Sequence, residues 1–446
     1  MFLAMIGYLA LVLIRPQDYP ALVDSIGVPL LPIALIVAAL FWLLSGRKRF
    51  DAPQYLLLLL FFIVLMLSNV ANGWFGGALD QMSKFAPTVL AFVVLANAAD
   101  SLRRVRIIMG MFTVCATVLA LHGIEQSQLG VGWTGIGMSQ ETRIQYVGIF
   151  NDPNDLGLLF VMCLPMAVYL AMRGGLFGFA RLFWLAAGGI LLYGIYLTDS
   201  RGTLLATLVV LGIYVWWRRG LITAGVLGAI ALAGLMALPS SRMQELDVSE
   251  ASAAGRVDSW YEGMQMFRQN PVLGVGADMY TDINPLTAHN SFVLVLAETG
   301  IIGFALWIAF IGYCFRMMLV AIREPPEELL AGAELESADE NADPGAMAGP
   351  DPAVVEAWYA DRDTALTLLL SLCGFFTAAF FLSRSYLVIL YLLAALVVAH
   401  YTGMRQRNPG LPAFNLQHDL IRWPIWAVGG AVGLYIMVKV LLAMAL

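Results

Sequence analysis

The chain has 446 residues, of which 60% are hydrophobic and 13% charged, with a mean hydropathy of +0.79. Soluble domains are about half apolar and a quarter charged, so this composition excludes an ordinary water-soluble fold and makes lipid the main solvent. The net charge of −6 is a local effect: residues 324–361 hold eleven acidic groups and no Lys or Arg, and the rest, with 25 basic and 20 acidic residues, carries +5.

A helix needs about 20 mainly apolar residues to cross the hydrocarbon core. Apolar runs at 2–14, 28–45, 53–70, 85–98, 105–124, 155–173, 181–198, 203–217, 220–238, 290–316, 363–383, 384–400 and 422–445 are the candidate spans. The first shows no basic n-region or small-residue cleavage site and reads as a retained span, not a signal peptide. The first, the fourth and the tight pair about Ser383–Ser385 are the weakest patterns. The expected fold is therefore all-α: a polytopic membrane protein with about 12 (11–13) transmembrane helices and one large periplasmic loop. The four cysteines, Cys115, Cys163, Cys314 and Cys373, show no disulfide or metal spacing and read as packing residues.

Arg47-Lys48-Arg49, Arg103-Arg104-Arg106, Arg218-Arg219 and Arg405/Arg407 fall on one side if the N-terminus is cytoplasmic, as the positive-inside bias requires. That threading puts loops 71–84, 125–154 and 239–289 outside, with a helix expected at about 256–270 in the largest. The acidic segment 324–361 falls inside. It is too poor in apolar residues to bury a core and reads as disordered, either a tolerated linker or a docking tail for a cytoplasmic partner.

Polar residues at an outer membrane boundary are functional candidates. Arg201, in TDSRGTLL, sits in the first turn of a span, where the helix dipole disfavours a cation. A bound anion would relieve that cost, and pairing with Asp199 is the alternative. Arg256 shares a helical side with Trp260, Gly263 and Phe267, away from Asp258, Glu262 and Gln265, so it either points into the membrane-embedded body or packs its stem on Trp260. His289 stands where the large loop enters a long span. Continued helix would put Gly300 on the same face, about 16 Å deeper. Glu298, roughly opposite that face, needs a partner or a proton. A boundary histidine can equally be a satisfied interfacial residue.

Together these segments resemble the O-antigen ligase and O-antigen polymerase superfamily of membrane glycan transferases. The resemblance lies in Arg201 with Leu205 four residues on, Arg256 in the large loop, and His289 with Gly300 eleven residues on. The stretch GIFNDPNDLG, with Asn151, Pro153 and Asn154, is similar to the family's asparagine-proline-asparagine opening of a span. It implies an inverting, metal-independent transferase of a bacterial inner membrane, without cofactor, active on the periplasmic face. The implied donor is an undecaprenyl-diphosphate-linked glycan, and the acceptor another glycan or the lipid A core. Arg201 and Arg256 would bind the donor diphosphate and His289 would be catalytic, with Gly300, Leu205, Glu298, Asn151 and Asn154 supporting. A transporter or flippase for the same lipid is the competing class.

Overall fold

The computed structural model describes residues 1–23, 27–46, 48–175, 177–237, 246–323 and 352–445. The long helices are α1 (Phe2–Ile14), α2 (Leu30–Leu43), α3 (Pro53–Ala71), α4 (Phe75–Ala98), α5 (Leu102–Leu129), α6 (Pro153–Met172) and α7 (Phe179–Leu197). They are followed by α8 (Arg201–Arg219), α9 (Leu221–Ala237), α10 (Leu246–Gln269), α11 (Ser291–Ala321), α12 (Pro352–Ala379), α13 (Val388–Arg407) and α14 (Arg422–Ala445). Eight of them, α3 to α7, α11, α13 and α14, are long and apolar enough to cross a membrane.

Local chemistry sets the boundaries. Pro153 opens α6 behind Asp152, whose carboxylate accepts from the Asn154 N–H at 2.7 Å. Ser200 caps α8, and Asn290 caps α11 by accepting from the N–H groups of Phe292 and Val293. The fourth candidate span is longer than its apolar run: α4 starts at Phe75 and continues through Pro87.

Burial is most complete on the innermost helices. Along α13, residues Ile389 to Ala399 are all buried, as expected of a helix walled in by others. Helix α14 differs. On α14, Ile425, Trp426, Val428, Val432 and Ile436 are each more than half exposed. An apolar face of that extent would be a liability in water and is the natural covering of a lipid-facing helix.

Chain alternation gives the bundle a basic end, with Arg104, Arg106, Arg173, Arg218, Arg316 and Arg407. There Arg407 pairs with buried Asp361 at 2.7 Å and Arg316 with Asp419 at 2.6 Å. Asp361 corrects one expectation. Residues 352–361 of the acidic segment are not disordered but open α12, where Trp358 is buried and Asp361 accepts from Arg407 of α13. Residues 324–351 lie outside the described residues.

At the opposite end, α11 does not run on as one regular helix. Gly300 takes φ 62°, ψ −164°, outside the helical region, and breaks it. Residues 271–276, just after α10, are threaded against the break. Val275 and Gly276 donate to the carbonyls of Ala297 and Glu298 at 3.0 Å each, and Ile301 donates to Pro271 O at 2.9 Å. A Cβ on Gly300 would stand 2.4 Å from the Val272 carbonyl carbon, and one on Gly274 2.2 Å from that of Glu298. The two backbones touch, which only glycine allows. Asn72, the residue that ends α3, donates to Gly274 O in the same segment, and Ser68 of α3 accepts from the N–H of Ala277 just after it. Irregular backbone within a membrane span is tolerated only when its polar groups are satisfied by protein, and here the loop does so.

Candidate active site

The break overturns the expectation that His289 and Gly300 share one helical face. His289 precedes α11 and adopts φ 47°, and Gly300 is non-helical. Their link is indirect: Gly300 seats the 271–276 segment, and the chain from there returns through Tyr280–Ile283 to His289. Glu298, buried beside the break, accepts from the Tyr386 hydroxyl at 2.8 Å and from the Tyr280 N–H at 3.3 Å. It braces two connecting segments to α11.

Four elements converge on the end where His289 sits. The helix expected at about 256–270 is α10, which starts earlier, at Leu246, and ends at Asn270-Pro271 as the sequence requires. Its inward side is the expected one: Trp260 is buried and packs edge-on to Phe380 at 5.7 Å, and Gly263 lies against Val293 and Tyr280. Arg256, one turn earlier, is half-buried, while Asp258 and Glu262 are exposed.

Arg201 is the first residue of α8 and is exposed. The next residue, Gly202, faces Phe381 at the end of α12, and Thr203 fits against Gly157 of α6. Leu205, one turn along, is 40% exposed and faces outward, so it does not brace Arg201 from within a core. Asn151 is exposed, whereas Asn154 accepts from Arg143 at 2.9 Å. Arg143 also donates to the Thr198 carbonyl at 2.8 Å, tying the 125–154 loop to the end of α7 and the start of α6.

The imidazole of His289 is held below its ordinary value of 6.5, first by burial and then by Arg256, with Arg384 acting in the same direction and Asp152 opposing. Arg256, Arg384 and Asp152 thus stand within electrostatic reach of one side chain. The arrangement keeps the histidine neutral near pH 7, in the form able to accept a proton.

Arg384 escapes a sequence reading. It lies in the short turn between α12 and α13, flanked by Ser383 and Ser385, where hydropathy shows only two adjoining spans. It makes a two-pronged contact with Asp155, whose carboxylate is 1% exposed, the second prong at 2.6 Å. The one available signal was its placement, an arginine between spans on the side that the positive-inside bias leaves poor in cations.

A family model described as O-antigen ligase matches residues 182–308, a stretch that holds Arg201, Arg256, His289, Glu298 and Gly300. No curated protein matches the chain. Over that segment, which spans Arg201, Arg256 and His289, this multi-pass helical protein is similar to the O-antigen ligase family.

Proposed function

We propose that the chain transfers a glycan from an undecaprenyl-diphosphate-linked donor to an acceptor hydroxyl at the periplasmic end of the bundle. The acceptor oxygen attacks the anomeric carbon from the face opposite the diphosphate. The C1–O bond to the diphosphate breaks, undecaprenyl diphosphate leaves with the electron pair, and the acceptor proton passes to His289. One new glycosidic bond forms with inversion. His289 is neutral before the step and imidazolium after it.

Arg201 and Arg256 bind the diphosphate oxygens through forked, charge-assisted contacts. They act catalytically because the leaving group gains charge as the bond breaks. In this scheme the two guanidiniums supply the counter-charge that a metal ion would otherwise provide. The observation that carries the reading is the grouping of His289, Arg256, Arg384 and Asp152 at the end opposite the arginine-rich one. By the positive-inside bias, the arginine-rich end is cytoplasmic.

The broken helix α11 gives the transporter reading one point in its favour, since interrupted helices mark many transporter sites. Here, however, the interruption is filled by the backbone of 271–276. Purified protein in bilayer discs, given a lipid-linked donor and a hydroxyl acceptor, is expected to yield a new glycoconjugate by mass spectrometry. Translocation without any new bond would reject the enzyme. Accumulated polymer on the lipid carrier in a deletion strain identifies a ligase, and accumulated single repeats a polymerase.

Two predictions follow from the charges. Arg201→Lys and Arg256→Lys each lose about tenfold to a hundredfold in kcat/KM, because an ammonium cannot reproduce a forked contact worth about 1.5–3 kcal/mol. Steady-state kinetics over donor concentration provide the measurement, and unchanged values would remove the diphosphate role. Transfer should also persist below pH 6.5 and fall only as His289 protonates. Burial and two neighbouring arginines set that point below the usual histidine value, so an acid limb centred at or above 6.5 would exclude His289 as the base.

A further inference from the structure

We infer that Arg384 is a positioning residue for His289: anchored on Asp155, the turn 382–385 clasps the chain on both sides of the histidine and fixes where its imidazole points. The inference rests on the reading of His289 as the base. Arg384, its turn and Asp155 lie outside 182–308, the stretch matched by the family model, while the flanks they hold lie within it.

The clasp closes on the residues two before and two after His289. Upstream, the Thr287 hydroxyl donates to Ser383 Oγ at 2.5 Å. Downstream, Ser291 is held three times: its Oγ donates to Leu382 O at 2.6 Å, the Arg384 N–H donates to that Oγ at 2.9 Å, and Ser385 Oγ donates to Ser291 O at 2.7 Å. The turn is fixed in its own right by the Arg384–Asp155 fork, which reaches across to the first turn of α6. A non-glycine residue at φ 47° persists only where its surroundings over-determine it. The bonds to Thr287 and Ser291 provide that constraint.

The charged groups facing His289 come from three elements: Arg256 on α10, Asp152 at the start of α6, and Arg384 in the turn. Arg384 therefore acts twice. Its backbone and neighbours hold the histidine's flanks, and its guanidinium helps keep the imidazole in the neutral, proton-accepting form. Misplacing a reacting group by about 1 Å costs about a hundredfold in rate, so loosening the clasp should appear in turnover and not in donor binding.

The test is kinetic, on full-length protein in bilayer discs. Arg384→Ala is expected to lower kcat about tenfold to a hundredfold, leave the donor KM within about twofold, and move the acid limb of the pH–rate profile to higher pH. Arg384→Lys should recover part of kcat. In a His289→Ala background, Arg384→Ala should cost nothing further, because it acts through the histidine. Thr287→Val opens one side of the clasp without touching the buried ion pair. It should lower kcat in the same way, and it decides the matter if Arg384→Ala fails to fold. Normal kcat in folded Arg384→Ala or Thr287→Val protein overturns the inference, as does a rise in KM at constant kcat. If His289→Ala itself keeps normal transfer, the proposed function fails. If that variant is inactive while the Arg384 and Thr287 variants are normal, only the clasp fails.

Discussion

Replacing His289 by alanine should reduce glycan transfer about a hundredfold to ten-thousandfold, the range a positioned general base contributes. The protein should still insert and keep its thermal transition, since the imidazole is half-buried at the rim of the bundle and fills no core position. His289→Asn is the sharper variant. Asparagine tolerates the left-handed backbone that residue 289 adopts better than most residues, so it keeps the local fold and removes only the basic nitrogen. Both variants are expected to be inactive. Product formation is measured by mass spectrometry on donor-loaded bilayer discs, and near-normal transfer by either one removes the proposed base.

Gly300→Ala should be the most damaging single substitution to the fold. At φ 62°, ψ −164° the backbone lies where side chains are almost never found, which costs about 1–3 kcal/mol. The added Cβ would also stand 2.4 Å from the Val272 carbonyl carbon, a backbone atom that cannot turn aside. Relief requires the 271–276 segment to withdraw, stranding the carbonyls of Ala297 and Glu298 without donors. Against a typical total stability of about 5–15 kcal/mol, the loss is severe. Thermal unfolding followed by size-exclusion fluorescence should show a strongly lowered transition or no folded peak. Gly212→Ala on α8, where a Cβ meets nothing within 4 Å, is the matched control and should be neutral or slightly stabilising. If the two variants behave alike, the break at Gly300 is not what shapes this end of the molecule.

Hydropathy and capping chemistry were enough to reveal the helical class, most helix boundaries and the inward side of α10. Those properties are local: apolar length sets a span, Asp152-Pro153 and Ser200 start helices, and Asn270-Pro271 stops one. Arg201, Arg256 and His289 could be picked out because a polar group at a membrane boundary is costly wherever the helices end up. The segment that holds them is the one similar to the O-antigen ligase family.

The path of α11 was settled by tertiary structure alone. A glycine eleven residues after a histidine predicts a shared face only while the helix continues. Whether it continues depends on a partner backbone some 25 residues away in sequence, whose N–H groups take over the freed carbonyls. Arg384 and Asp155, 229 residues apart in the chain, are likewise brought together only by the packing of α6 against α12. The sequence determined which residues are unwelcome in lipid, because desolvation cost belongs to each side chain. The tertiary structure decided which of them face one another, because hydrogen bonds and charge pairing depend on distances that chain separation does not set.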